Sequence, residues 1–344
     1  MKFIWRPYTL LFRHPFRIAH GVRNSTPVMF IRIAYRGEEG YGEASMPPYL
    51  GESHETADAF FRLVDLSRFP GPGDIRSVME YIDGLAPGNT SAKAAIDIAL
   101  HDLAGKIQDK PVYELFGADP FLAPCTSFTI GMDDPDKIRG KVKEATDFPI
   151  LKVKLGGEDD LRILQAVRAS TAKPFSVDVN QGWADREFAL DMICRMKEMN
   201  VVFVEQPFRV DNLEDQLWLK ERSPLPVIAD ESCRRFSDIE SCRDAFHGIN
   251  IKLMKCTGLS EGRRMIEEAG KHNLKVLIGC MSESSCGVSA AATLTPFASW
   301  ADMDGPLLIT NDAFDGISFD KGRIIFPERP GIGAVPKVLL FGGE

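Results

Sequence analysis

Short hydrophobic runs alternate with charged, helix-like segments from about residue 124 to residue 304. The eight runs are TSFTI (126–130), ILKVKL (150–155), FSVDVN (175–180), VVFVEQP (201–207), PVIAD (226–230), INIKLM (249–254), KVLIGC (275–280) and SWADMD (299–304). Most are separated by helical patterns such as those at 185–199 and 259–272. Strands that alternate with helices predict a parallel sheet, and eight such units fit a (β/α) barrel better than a doubly wound sheet.

The front of the chain has a different pattern. Residues 28–36 (VMFIRIAYR) and the sequence FIWRPYTL near the N-terminus are typical of strands. Three glycines follow at a predicted hairpin turn: Gly37, Gly40 and Gly42. Residues 91–108 predict a helix with Ser91 as its N-cap, and Asp102 lies near the apolar stripe of that helix, where it would need a partner.

Together these patterns predict an α/β protein with three parts. An α+β capping domain occupies residues 1–118, and a modified (β/α)8-type TIM barrel occupies residues 119–312. The segment 313–344 does not continue the strand–helix alternation, and we expect it to return to the cap.

Composition and charge disfavour several classes of function. The net charge is −8 and the basic residues are scattered, so we expect no nucleic-acid partner. No run reaches 18 apolar residues and arginines interrupt the N-terminal sequence, so we expect neither a membrane partner nor a secretory signal. Seven widely spaced cysteines without a CxxC pair indicate reduced thiols in the cytoplasm. The oligomeric state stays open, with a homo-oligomer among the alternatives.

Charged residues stand near the C-terminal ends of six of the eight runs. They are Lys152, Lys154, Asp178, Glu205, Asp230, Lys252, Asp302 and Asp304. Strand C-terminal ends converge on one face of a βα barrel, where active sites form. Because buried charges are costly unless they pair or bind a metal, a shared site explains these residues better than separate surface positions.

Asp178, Glu205 and Asp230 come from three successive predicted strands. Three adjacent carboxylates would repel one another unless a cation neutralised them. Oxygen ligands without a nearby His or Cys favour Mg²⁺ over zinc, with Mn²⁺ as the alternative.

Two lysines flank these carboxylates, with Lys154 on the strand before them and Lys252 on the strand after them. In a closed barrel the two amines would face each other across the metal. A lysine pKa lies near 10.4, and we expect the cation and a neighbouring ammonium to lower it. An acid and a base on opposite faces suit removal and return of a proton alpha to a carboxylate, with inversion at carbon and an enediolate stabilised by the metal.

The strings LKVKLG, VDVNQGW, VEQP, IADES and INIKLMK together resemble the muconate lactonizing enzyme subgroup of the enolase superfamily. The resemblance covers nearly the whole chain. It implies that Lys154 and Lys252 are the acid/base catalysts and that Asp178, Glu205 and Asp230 bind Mg²⁺. Lys152 would then tune the site, and Lys255 is interpreted as a surface residue.

Two further features resemble the dipeptide epimerases of that subgroup. Asp302 and Asp304 lie two apart in ADMDGP, and such a pair in those enzymes binds the α-ammonium of the substrate. Residues 14–28 resemble a mobile loop over the barrel mouth, and the resemblance makes Arg23 the partner of a glutamate side chain. No role is assigned to Glu283 or Arg17.

The sequence therefore predicts an Mg²⁺-dependent dipeptide epimerase, an isomerase of L-Ala-D/L-Glu in murein peptide metabolism. An o-succinylbenzoate synthase or an N-acylamino acid racemase would use the same framework, although neither substrate offers an ammonium to Asp302 and Asp304. A metal-stabilised barrel that only binds peptides is the non-catalytic alternative.

Overall fold

The structure, a computed structural model, describes residues 1–18 and 21–342. Three antiparallel strands open the chain, in the order β1 (Lys2–Ile18), β2 (Gly21–Tyr35) and β3 (Glu38–Ser45). Four helices follow: α1 (His54–Phe61), α2 (Ile75–Leu85), α3 (Thr90–Ile107) and α4 (Val112–Leu115). The predicted α+β front is therefore confirmed, and its core lies between the sheet and α3.

Two of the glycines assigned to a hairpin turn have another role. The turn between β2 and β3 lies at Arg36 and Gly37, both with positive φ, whereas Gly40 and Gly42 belong to β3. A Cβ on Gly42 would lie 2.0 Å from the Ala95 carbonyl oxygen in α3, and a Cβ on Gly40 would be equally close to this helix. These glycines let α3 approach the strand backbone.

Helix α3 begins one residue before the predicted N-cap. Asn89 precedes the helix with φ 51° and makes no side-chain cap. The Glu52 carboxylate instead accepts hydrogen bonds from the backbone N–H groups of Ser91 (3.0 Å) and Ala92 (3.3 Å). The prediction of Ser91 as N-cap was wrong because a carboxylate remote in sequence satisfies these N–H groups.

The centre of the chain forms the predicted barrel. Its eight parallel strands are β4 (Phe128–Ile130), β5 (Leu151–Lys154), β6 (Phe175–Asp178), β7 (Val201–Glu205), β8 (Val227–Ala229), β9 (Gly248–Ile251), β10 (Lys275–Gly279) and β11 (Trp300–Asp302). The helices of this region are α5 (Pro135–Glu144), α6 (Asp160–Ser170), α7 (Arg186–Glu198), α8 (Leu213–Arg222), α9 (Ile239–Ala245), α10 (Leu259–Lys271) and α11 (Ser285–Ala292). Neighbouring strands in sequence pair in space, and a parallel bridge between Thr126 and Ala301 joins the two ends of the sheet.

The C-terminal segment contains four short strands: β12 (Phe314–Asp315), β13 (Ser318–Asp320), β14 (Arg323–Ile325) and β15 (Val335–Pro336). It contacts the cap at several points. The Val112 N–H donates to the Gly331 carbonyl at 2.7 Å, and the Ile332 N–H donates to Asp102 at 2.9 Å. Asp102 also accepts from Lys106 at 2.7 Å, so this buried carboxylate has the partner that the sequence required.

No helix among the described residues is both long enough and apolar enough to cross a membrane.

Candidate active site

Strand register brings the predicted carboxylates together. Asp178 ends β6 and is paired with Glu205, which ends β7, while Asp230 follows β8 directly. One oxygen from each of the three carboxylates lies within 4.8 Å of the other two, and all three residues are buried. Paired residues on adjacent parallel strands point to the same face, which is why a spacing of one βα unit converges on one point.

The three residues fit a hard divalent cation. They offer only carboxylate oxygens, which Mg²⁺ prefers. Glu205 Oε1 accepts from Asn250 Nδ2 at 2.7 Å, while Oε2 is buried without a hydrogen bond from any described residue, although Lys152 Nζ is 2.9 Å away. Asn250 was missed in the sequence, where its signal was an amide between two isoleucines in the run INIKLM.

Lys154 and Lys152 enter the site from β5. Lys154 Nζ donates to Asp178 Oδ2 at 2.6 Å and to Asn180 Oδ1 at 3.2 Å. Lys152 Nζ lies 3.1 Å from Asp178, 2.9 Å from Glu205 and 2.9 Å from Asp302. Lys152 therefore links the carboxylates of β6 and β7 to the end of β11.

Lys252 approaches from the other side of the barrel. It follows β9, which is four strands away from β5 in a sheet of eight, so the two lysines come from opposite walls. Its Nζ donates to Asp230 Oδ2 at 2.7 Å.

Lys255 is not the surface residue that the sequence suggested. It is fully buried, and its Nζ donates to Asp230 Oδ1 (2.7 Å), to the Asp230 carbonyl (2.6 Å) and to the Asn250 carbonyl (2.9 Å). The prediction was wrong because Lys255 lies in a turn, where its N–H donates to the Lys252 carbonyl, and not on an exposed helix face.

Ionisation at the site follows from burial opposed by close charges. Burial would raise the pKa of Asp178, but Lys154 and Lys152 outweigh it and lower this pKa to about 2. Burial would lower the pKa of Lys252, but Asp230 outweighs it and raises this pKa well above its usual range. The raised pKa of Lys252 comes from the carboxylate in contact with it, which the sequence-based expectation did not count, whereas the expected lowering of a lysine pKa by a bound cation stays a prediction.

Asp302 and Asp304 lie on one wall of the same site but differ in their partners. Asp302 accepts from Ser127 Oγ at 2.8 Å and from Lys152 Nζ at 2.9 Å. Asp304 accepts from the Thr129 N–H at 2.6 Å, and burial together with Asp302 raises its pKa to about 7. Asp304 is therefore the carboxyl of this pair that lacks a close cation among the described residues.

A cavity of about 310 Å³ connects these residues with the cap. Arg23 lines it from the cap, and its Nη1 donates to Thr26 Oγ1 at 3.4 Å. The charged residues of the barrel that line it are Lys152, Lys154, Asp230, Lys252, Asp302 and Asp304. Arg23 lies on β2, paired with Phe16 of β1, so the expected mobile loop at 14–28 is largely strand. That expectation was wrong because the cap hairpin continues its backbone pairing over the mouth, although residues 19–20 lie outside the described residues.

Glu283 is buried and is not among the residues that line the cavity. Its Oε1 accepts from the Met281 N–H at 2.6 Å, and burial followed by the charge of Glu43 raises its pKa to about 8. The Arg17 backbone carbonyl accepts from the Met132 N–H, and among the described residues its side chain has no hydrogen bond or ion pair that would give it a role.

Comparisons with known proteins agree with this arrangement. Residues 137–338 match the enolase C-terminal domain-like family, and residues 6–117 match the N-terminal domain of the mandelate racemase/muconate lactonizing enzyme family. The chain is 47% identical to the L-Ala-D/L-Glu epimerase of Bacteroides thetaiotaomicron, over 97% of this chain and 88% of that protein.

Two solved structures are closely similar in fold. The dipeptide epimerase of Cytophaga hutchinsonii, complexed with Mg and D-Ala-L-Val, has a TM-score of 0.91 and 28% identity, with 98% of this chain and 96% of that chain covered. The substrate-liganded L-Ala-D/L-Glu epimerase of Bacillus subtilis also has a TM-score of 0.91, with 26% identity and coverage of 98% and 99%.

Proposed function

The chain belongs to the mandelate racemase/muconate lactonizing enzyme family of the enolase superfamily, and from this premise we propose that it epimerises dipeptides, L-Ala-D/L-Glu above all. The reaction makes it an isomerase. The observation that carries the proposal is the position of Lys154 and Lys252 on opposite walls of one cavity, with the carboxyl pair Asp302 and Asp304 on a third side.

The lysines act on the carbon alpha to the C-terminal carboxylate of the dipeptide. Mg²⁺ held by Asp178, Glu205 and Asp230 would neutralise that carboxylate and stabilise the negative charge that develops when the α-proton leaves. One lysine removes the α-proton from its face, and the lysine on the opposite wall returns a proton to the other face. The configuration at this carbon is inverted as a result.

Lys152 holds the site in place between these groups. Its ammonium contacts Asp178, Glu205 and Asp302 at 2.9–3.1 Å, so it offsets the repulsion among carboxylates from three strands. Because Lys152 is in contact with Asp302, Asp304 is the carboxyl of this pair that an additional cation would stabilise most.

Asp302 and Asp304 bind the N-terminal ammonium of the dipeptide. Asp304 lacks a close cation among the described residues, and an ammonium beside it would favour the ionised carboxylate that burial opposes. An N-acylated amino acid or a succinylbenzoate carries no such charge. This difference favours a dipeptide over the substrates of an N-acylamino acid racemase or an o-succinylbenzoate synthase.

Arg23 recognises the side-chain carboxylate of a C-terminal glutamate. Its guanidinium lines the cavity from the cap, and burial lowers its pKa without a carboxylate partner in the described chain. A carboxylate ligand would supply that partner and a charge-assisted hydrogen bond.

Proton NMR of L-Ala-D-Glu in D₂O tests the reaction. We expect the glutamate α-proton signal to disappear, EDTA to abolish the loss, and Mg²⁺ or Mn²⁺ to restore it. Exchange that survives in the Lys154→Ala, Lys252→Ala double variant would refute the two-lysine mechanism. Asp304→Asn with undiminished activity would remove the argument for an ammonium-bearing substrate and favour the lyase or the racemase.

A barrel that only binds peptides predicts a different result. It would bind Mg²⁺ and dipeptides without any deuterium exchange across a dipeptide library.

We place the enzyme in the cytoplasm, in the turnover of murein peptides. Fractionation of the source cells and growth on L-Ala-D-Glu test these two assignments.

A further inference from the structure

A second cleft opens beside the cavity that contains the lysines. It has a volume of about 460 Å³ and shares three lining residues with the first cavity: Tyr49, Gln181 and Glu231. The shared residues make the two spaces neighbours across one boundary. The second cleft lies over the loops that follow β6, β7 and β8, on the metal side of the mouth and away from Asp302 and Asp304.

Arg234 lines this cleft without a carboxylate partner. It is half-buried, only its backbone N–H has a hydrogen bond, to Asp238, and no acidic side chain of the described residues forms an ion pair with its guanidinium. The other arginine of the cleft, Arg209, is already paired with Asp211 through contacts of 3.1 and 3.0 Å. Among the residues that the structure describes in this cleft, Arg234 is therefore the arginine available to bind an anion.

Tyr49 stands between the two arginines that face the cavities. Its hydroxyl interacts electrostatically with both Arg23 and Arg234, and it donates to Met281 Sδ at 2.9 Å. Arg23 therefore serves the first cavity and Arg234 the second. A single short side chain that ends at Arg23 leaves Arg234 without a ligand.

Glu231 lies at the boundary between the two cavities and determines which chemical groups of a substrate can extend from one into the other. Its Oε1 accepts from Asn180 at 3.3 Å, while its Oε2 is buried without a hydrogen bond from any described residue. A free carboxylate at this boundary would meet another acidic group, which is unfavourable. An amide is neutral, and its N–H would donate to Glu231 Oε2.

We propose that the cleft is a subsite for side-chain-extended dipeptides, in which the side-chain carboxyl of the C-terminal acidic residue carries a further amino acid in amide linkage. The linking amide lies between Arg23 and Glu231, which both line the first cavity: its carbonyl accepts from Arg23 in place of the side-chain carboxylate, and its N–H donates to Glu231. The terminal carboxylate of the added residue binds Arg234. The α-carboxylate stays free for the metal, so epimerisation proceeds at the same carbon. This inference rests on the proposed function and defines the substrate class more closely.

Three substrates test the subsite in the Mg²⁺-loaded enzyme. They are L-Ala-L-Glu, the same dipeptide with glycine on its side-chain carboxyl, and the glycinamide form of that compound. Deuterium exchange at the glutamate α-carbon gives kcat and KM for each. In Arg234→Gln we expect KM for the glycine compound to rise about tenfold to hundredfold with kcat unchanged, because a charge-assisted hydrogen bond is lost from binding.

Matched comparisons separate this role from a general loss of structure. Arg234→Gln should leave L-Ala-L-Glu and the glycinamide compound within twofold of wild type, and Arg234→Lys should recover part of the affinity for the glycine compound. Arg209→Gln, in the same cleft but paired with Asp211, should change none of the three.

Each contrary result has one meaning. If wild type exchanges L-Ala-L-Glu but not the glycine compound, the subsite is refuted and the proposed function stands. Equal losses on all three substrates in Arg234→Gln, or no loss on any, also refute the subsite. Absence of exchange with all three in wild type refutes the proposed function itself.

Discussion

Replacement of Lys255 by methionine would remove a buried ammonium while filling nearly the same space. Lys255 Nζ donates three hydrogen bonds of 2.6–2.9 Å, to the Asp230 carboxylate and to the carbonyls of Asp230 and Asn250. Asp230 would keep Lys252 on Oδ2, but Oδ1 and two buried carbonyls would lose their donor. Removal of one partner from a buried ion pair costs about 3–5 kcal/mol, so we expect Lys255→Met to lower the free energy of unfolding by about that amount.

Equilibrium urea unfolding in EDTA, followed by tryptophan fluorescence, measures this loss, because Mg²⁺ bound to Asp230 would itself compensate the carboxylate. Lys197→Met is the matched control, because Lys197 is exposed on α7 and its replacement should change the free energy of unfolding by less than about 0.5 kcal/mol. A loss of less than about 1 kcal/mol in Lys255→Met would refute the conclusion that this ammonium compensates the charge of Asp230.

Two further changes test other parts of the structure. Gly258→Ala should cost about 2 kcal/mol or more, because φ is 116° and the new Cβ would lie 2.4 Å from Asp97. Gly270 lies within α10, the helix that Gly258 precedes, and has open space, so Gly270→Ala should gain about 0.5–1 kcal/mol. Urea unfolding that ranks the two variants otherwise contradicts the packing. Glu283 has a raised pKa of about 8, so its stabilising contribution is greatest below the unfolded pKa and falls as the pH rises towards 8. The free energy of unfolding of Glu283→Gln should therefore rise, relative to that of wild type, by about 1.4 kcal/mol per pH unit between about pH 5 and 8. If the two proteins show the same dependence of stability on pH, the raised pKa is contradicted.

The sequence predicted the barrel and the convergence of its charges because both depend on short-range regularity. Each strand is a compact apolar run, and a charged residue at its C-terminal end needs only the barrel topology to meet its counterparts. The register confirms the geometric part of that reasoning, with Lys154 opposite Asp178 and Asp178 opposite Glu205. The boundaries of the three parts and the roles of the site residues stay predictions.

The errors share a different physical origin, which is contact between residues remote in sequence or hidden by a turn. Lys255 is of a residue type that usually lies on the surface, but a turn directs its ammonium to the carboxylate of Asp230. Gly42 looks like a turn residue until α3 packs on β3, and the cap of α3 comes from Glu52 rather than from its own first turn. None of these contacts leaves a periodic signal in the sequence.

The return of the C-terminal segment to the cap has a consequence for how the protein is made. Phe314 packs on Phe30 with ring centroids 5.0 Å apart, and Phe341 stacks on Tyr41 at 6.0 Å. The cap precedes the barrel in the chain, yet part of the apolar core that the cap shares with the barrel is supplied by residues that follow the barrel. The barrel can gather its strands in order during translation, whereas the packing on the cap can be completed only after residues 314–341 have been synthesised. A chain truncated after residue 312 would therefore have all eight barrel strands beneath an unfinished cap.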